Sequence, residues 1–229
     1  MSGAAVAQNI GPSTTTEPYV LPTRAGVETS SILTVGDKIG GYRMVGLPDG
    51  MGLFNEKVPG GANFNLLLNH EIGREKGVVR SHGSAGAFVS RWTLEKGTLK
   101  VIAGRDHIKS PNDIFTWKNG GYSAATTAMD RLCSADMAGE WAYFFNGKGT
   151  KSRIMLSGEE TTPPFAADHG RVFAHVATGA NKDQTFELPR LGKIAFENAI
   201  ASPYGQNKTV VMLTDDAGRE TNVTTDTVC

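Results

Sequence analysis

Two adjacent carboxylates, Glu159 and Glu160, follow a short apolar run, Ile154-Met155-Leu156, that ends at Ser157-Gly158. A loop with Pro163-Pro164, Asp168, His169 and Gly170 comes next, and Arg171 to Val176 returns as a second apolar run. Paired acids at the mouth of a strand are how an all-β scaffold offers oxygen ligands to a hard cation or a charged substrate. The same residues would also make a solvated hairpin with acidic tips. Polar groups recur where other apolar runs stop: His70 and Glu71, His82, Asp106 and His107, Asn112 and Asp113, Glu197 and Asn198, Asp215 and Asp216. Any one pair is ordinary turn chemistry. Their recurrence points to one rim of a β-scaffold lined with cation ligands.

Cys133 lies in Arg131-Leu132-Cys133-Ser134-Ala135-Asp136. It reads as either a buried, inert thiol or a metal ligand, because a thiolate at neutral pH needs a neighbouring cation. Carboxylates alone suit calcium; an added thiolate favours a transition metal. No His or Lys at a suitable spacing marks Cys133 as a nucleophile, so no catalytic residue is assigned. His70 and His82 stand twelve residues apart, not the three or four of a helical metal pair. The glycines of His82-Gly83-Ser84-Ala85-Gly86 lack a following Gly-Lys-Ser/Thr, which excludes a mononucleotide phosphate loop.

The elements that must position these groups read as short strands. Strand-like runs cover 31–35, 42–47, 63–69, 87–94, 99–104, 141–145, 153–156, 171–176 and 209–213, with 19–22 as an edge strand. Residues 112–117 form a short apolar piece, and 194–201 read as strand or helical turn. Pro48-Asp49-Gly50 and Glu95-Lys96-Gly97 read as turns. Many short strands with almost no helical period argue an all-β sandwich, barrel or propeller. At about 40–45 residues per blade the chain would supply about five blades at most. No internal repeat is visible.

Lysine plus arginine equals aspartate plus glutamate, 23 each, so bulk charge gives no reason to expect a nucleic-acid partner. No apolar run of about 18 residues predicts a membrane-spanning segment. Two cysteines, Cys133 and Cys229, do not make a disulfide framework. Residues 1–18 read as a disordered lead and 217–229 as a polar, disordered tail. The first residues lack the basic and apolar regions of a signal peptide, although Ala5-Val6-Ala7-Gln8 is like a cleavage site.

Taken in order, LLLNHE (66–71), RSHGSAGAFVSRW (80–92), RLCSAD (131–136), SGEE (157–160), GRVFAHV (170–176), LGKIAFENAIASP (191–203) and VVMLTDD (210–216) resemble the bacterial PhoX-like alkaline phosphatase family. The resemblance covers roughly 19–216. It implies a β-propeller of the PhoX-like type, periplasmic or secreted, with iron and calcium near the propeller axis, hydrolysing a small phosphorylated substrate. In that family a cysteine, the glutamates of a CEE motif and the glutamate closing an LGRFxHE motif belong to the metal site. Glu159 and Glu160 match the acidic pair, with Gly158 where the cysteine would stand. Leu191-Gly192-Lys193 and Glu197 match the later motif, with Lys193 for arginine and Phe196 for histidine. The implied metal ligands are Cys133, Glu159, Glu160, Glu197, Asp215 and Asp216, and Lys193 is the implied substrate contact.

Family members are longer, so 19–216 is expected to be a partial, incomplete propeller. Two functions compete: a metal-dependent phosphoesterase, and a non-catalytic calcium-binding secreted propeller. A lactonase-like propeller hydrolase is a third reading, needing an axial calcium and no cysteine. The metal reading requires at least two of Glu159, Glu160 and Glu197 in one coordination sphere, with Cys133 beside them if iron is bound. Glu159 and Glu197 on opposite faces would reduce the acidic pairs to turn chemistry and remove the basis for a phosphatase.

Overall fold

Glycines and prolines cut the chain into extended runs no longer than eight residues. The computed structural model describes residues 7–56, 60–162 and 170–216 and is all-β. Among the described residues the helical pieces are two 3-10 turns, Pro111–Asp113 and Pro189–Leu191. Among the described residues no helix is long and apolar enough to cross a membrane.

Two short pairs come first: β1 (Ala7–Ile10) runs parallel to β2 (Glu28–Ser31), and β3 (Lys38–Ile39) antiparallel to β4 (Tyr42–Arg43). Then β5 (Pro48–Phe54), β6 (Asn63–His70), β7 (Phe88–Glu95) and β8 (Val101–Asp106) form a four-stranded antiparallel meander. The next strands are β9 (Ile114–Lys118), β10 (Gly121–Ala124) and β11 (Leu132–Met137). A hairpin of β12 (Phe144–Phe145) and β13 (Lys148–Gly149) precedes β14 (Ile154–Glu159), β15 (Val172–Val176) and β16 (Thr185–Glu187). A six-stranded sheet runs β10-β9-β16-β15-β14-β11, antiparallel except between β16 and β9. The hairpin β17 (Phe196–Ala201) and β18 (Val211–Asp215) is the last among the described residues.

Side chains alternate across a strand, and this alternation builds three cores. One core lies between the meander and the six-stranded sheet and holds Phe54, Leu67, Val89, Ile114, Met155 and Phe173. A second, on the other face of the six-stranded sheet, packs Leu156, Val172 and Ala174 against Phe196 and Ala199 of β17. The third packs Leu68, Trp92, Leu94 and Val101 of the meander against Met44. Met155 and Leu156 thus belong to different cores, and the same period governs the residues after them.

Several expectations are corrected. Pro48-Asp49-Gly50 is not a turn but the start of β5. Proline is tolerated as a first strand residue, and a register shift follows between Pro48 and Met51. Gly50 is there for closeness: a β-carbon on it would lie 2.2 Å from the Ala135 nitrogen of β11. Ser157-Gly158 does not end its strand, which continues through Glu159. Trp141 to Tyr143 are turn, closed by Ala142 N–H to the Gly139 carbonyl, so only Phe144 and Phe145 of 141–145 are strand. Residues 19–22 form no strand, and of 31–35 only Ser31 does. Within the expected lead, Ala7–Ile10 pairs with β2. The tail 217–229 lies outside the described residues.

Candidate functional site

β11 carries Cys133 between the ends of β5, β14 and β17, and this placement gathers the site. Asn69 fixes β11 there: its side-chain amide donates to the Cys133 carbonyl at 2.8 Å and accepts from the Ser157 hydroxyl at 2.9 Å. The Ser134 hydroxyl donates to the Glu197 carbonyl and lies 2.8 Å from Asn198 Oδ1. Cys133 Sγ lies 3.8 Å from Glu197 Oε2 and 3.5 Å from Asp49 Oδ2. Donor atoms of Cys133, Glu160 and Glu197 lie within 4.8 Å of one another, and so do those of Asp49, Glu71 and Cys133.

One guanidinium answers these acids. Arg131 donates to Glu71 Oε1 at 2.9 and 3.0 Å and to Glu160 Oε1 at 3.0 Å. Its backbone sits at φ 45°, a costly conformation for a residue with a side chain. Positive charge is still short. Burial pushes the Cys133 thiol up, and its hydrogen bond with Glu160 and the charges of Asp49 and Glu197 push it further. Burial also lifts the Glu160 carboxyl, helped by Glu71 and Glu197 and opposed by Cys133 and Arg131. A cation among these groups would reverse both effects, because it favours the deprotonated forms.

The donor set fits a metal. One sulfur and carboxylate oxygens suit a first-row transition metal such as iron, and the oxygen corner of Asp49 and Glu71 suits calcium. Cys133, Glu160 and Glu197 are brought together, close enough for two of the three glutamates to reach one ion with the thiol.

Glu159 is not among them. Successive residues of a strand point to opposite faces, so Glu159 follows Met155 and Ser157 while Glu160 follows Leu156 and Gly158. Glu159 is fully buried and holds Arg171 through Nε at 2.8 Å, Nη2 at 2.8 Å and the backbone N–H at 3.0 Å. It also accepts from the Asp130 N–H at 2.9 Å. It is neither a ligand nor turn chemistry but one half of a buried ion pair. Asp215 and Asp216 are exposed and join neither donor group. Asp215 Oδ1 instead accepts from the Ala195 N–H at 3.1 Å. Lys193 is exposed on the loop leading into β17. Asp168 and His169 lie outside the described residues.

The histidines at strand ends serve the interior. His70 bonds the Val45 carbonyl at 3.0 Å and the Ser90 hydroxyl at 2.8 Å and stacks on Phe88. His82 and His107 are buried as well. Three site residues escaped the sequence reading. Asp49 was hidden in an apparent turn, Glu71 was one strand-end acid among many, and Arg131 stood beside Cys133 without a sign of its role.

Two of the three departures from the family pattern, Gly158 and Phe196, are one packing pair. A β-carbon on Gly158 would lie 2.4 Å from Phe196 Cβ and 3.0 Å from the Phe196 carbonyl oxygen. No cysteine fits at 158 on this backbone, and the thiol beside Glu160 comes from β11 instead. Gly158→Ala is expected to lower stability by about 1–3 kcal/mol, read as a lower urea midpoint. Adding Phe196→Ala should not restore it, because alanine keeps both obstructing atoms. A midpoint unchanged from wild type would show that β14 and β17 are not in this contact. Comparison with protein-family models, with curated proteins and with solved structures gives no match.

Proposed function

We propose that this chain is a metal-dependent phosphoesterase of the PhoX-like type, with Cys133, Glu160 and Glu197 holding iron and with Asp49 and Glu71 on a neighbouring calcium. The convergence of a thiol from β11 with carboxylates from β5, β14 and β17 carries the reading. Glu159 lies on the face opposite Glu160 and the cluster, the outcome named above as counting against a phosphatase. The proposal rests instead on Glu160 and Glu197, which meet the condition that two of the three glutamates gather beside Cys133. Bound cations there would neutralise phosphoryl oxygens and supply a nucleophile by acidifying water. Arg131, at the cluster, and Lys193, on the loop into β17, add positive charge for a small phosphate monoester. The four-stranded meander has the strand number and order of a propeller blade, which supports the propeller form, whereas the six-stranded sheet with its parallel β16–β9 pair departs from a blade. Phe196 in the place of a histidine favours the competing role, a non-catalytic calcium-binding propeller.

Hydrolysis of p-nitrophenyl phosphate by protein loaded with iron and calcium separates the two. Cys133→Ser and Glu197→Gln should each lower the rate about 100-fold or more, since even groups behind metal ligands matter 10- to 100-fold. No hydrolysis by wild type that retains both metals would support the binding role instead.

A further inference from the structure

A second polar site lies at the other end of the sheet interface. Asn65 and Glu71 are six residues apart on and just beyond β6, about 20 Å at the rise of an extended strand. Around Asn65 a cavity of about 440 Å³ is lined by Glu56, Asn63, Arg91, Arg105, Lys109 and Lys182. Its volume suits one small molecule.

Charge at this cavity is unbalanced. Arg91, Arg105 and Lys109 all pair with Asp183, at 3.3, 2.6 and 2.6 Å. Arg91 also pairs with Glu56, and Lys182 Nζ lies 2.6 Å from Glu56. Among the described residues in this network, four permanent cations share two carboxylates. Arg91 is only 4% exposed, so part of the excess charge is held away from water. Asp183 keeps a left-handed backbone, φ 74°, which fixes its carboxylate among three cations. The arrangement costs stability unless an anion completes it. An ammonium carries three N–H donors, so Lys109 and Lys182 retain hydrogen-bonding capacity beyond one carboxylate each.

We propose that this cavity binds a small dianionic oxyanion, phosphate or a phosphate monoester, between Lys109, Lys182 and Arg105. Two excess positive charges match a dianion; Arg105, whose Nη1 donates to the Asp106 and His107 carbonyls and whose Nη2 donates to Asp183, contributes charge to the site. The volume of about 440 Å³ suits a small molecule. The site is separate from the Cys133 cluster and does not depend on metal there.

Titration calorimetry of the full chain in EDTA tests it, with inorganic phosphate, glucose 6-phosphate and succinate as probes. Phosphate or the monoester should bind with a dissociation constant of about 1 mM or tighter, and several-fold more weakly at high salt. A tighter monoester identifies the ester as the ligand; a tighter phosphate identifies the free ion. The double variant K109A/K182A should weaken binding about tenfold or more, while Cys133→Ser should leave it unchanged. Lys109 is exposed, at 57%, and Lys182 half-buried, at 36%, and their removal relieves excess positive charge, so the double variant should unfold at a urea midpoint no lower than wild type. No binding heat at about 10 mM phosphate, equal binding by K109A/K182A, or succinate binding as tightly as phosphate would each overturn the proposal.

Discussion

Acidification from pH 7 to pH 4.5 is expected to remove a large part of this protein's stability. His70, His107 and His175 are fully buried. Burial depresses His70 to about 4 and His175 to about 3. His107 is held well below its usual value, first by burial and then by His175, with Asp183 opposing. In the unfolded chain all three titrate near 6.5. The unfolded state therefore binds more protons below pH 6.5, and the stability these rings contribute is whole above 6.5 and lost as pH falls toward 4. Each ring contributes a slope of up to about 1.4 kcal/mol per pH unit. By pH 4.5 the three withdraw on the order of 6 kcal/mol, against the roughly 5–15 kcal/mol that holds a domain together.

Other groups adjust this without reversing it. Asp106 and Asp183 are held low by their hydrogen bonds and cation partners, despite burial, so they withdraw stability further as pH falls below the usual carboxylate range. Burial raises Asp136 and Glu160, which act in the opposite sense, but both are partly exposed and their effect is smaller. Urea midpoints measured from pH 7.5 down to 5 should fall steadily, and His175→Gln should flatten the fall. A midpoint constant over that range would contradict neutral burial of the histidines.

Glu159→Gln is expected to destabilise the fold by about 3–5 kcal/mol and to leave metal content unchanged. Four hydrogen bonds converge on its carboxylate, three of them from Arg171. Arg171 is itself largely buried, with 16% of its side chain exposed. Removing the charge leaves an uncompensated guanidinium beside Phe173. The family resemblance implies Glu159 as a metal ligand; the proposed centre uses Glu160 and Glu197 instead. Denaturation and elemental analysis of the same variant decide the matter. Loss of metal with an unshifted urea midpoint would return Glu159 to the site.

The difference between Glu159 and Glu160 shows what was legible. The sequence marked the pair and the strand before it, and period two then separates the partners once the strand is known to run through Gly158. Reading Ser157-Gly158 as a strand end removed that period. Gly158 is needed for the approach of Phe196, a tertiary contact that no local pattern announces. Gly50 misled in the same way at β5, and Asp49 was lost with it. The longer runs, β6, β7 and β15, were legible because their apolar residues decide their burial. β11 was not, since Leu132-Cys133-Ser134-Ala135-Asp136-Met137 has neither strong strand propensity nor clean alternation; its pairing with β14 and packing on β5 make it a strand. Cys133 itself was legible as a choice between inert thiol and ligand, and the carboxylates around it favour the second.

Loading the full chain with cobalt(II), a coloured stand-in for iron, measures most directly whether Cys133 and its carboxylates form a metal centre. Wild type should take up the ion and show a sulfur-to-cobalt charge-transfer band. Cys133→Ser should lose the band, Glu197→Gln should weaken uptake, and Glu159→Gln should leave the spectrum intact. A colourless wild-type protein, or one whose spectrum survives Cys133→Ser unchanged, would contradict a metal centre at Cys133.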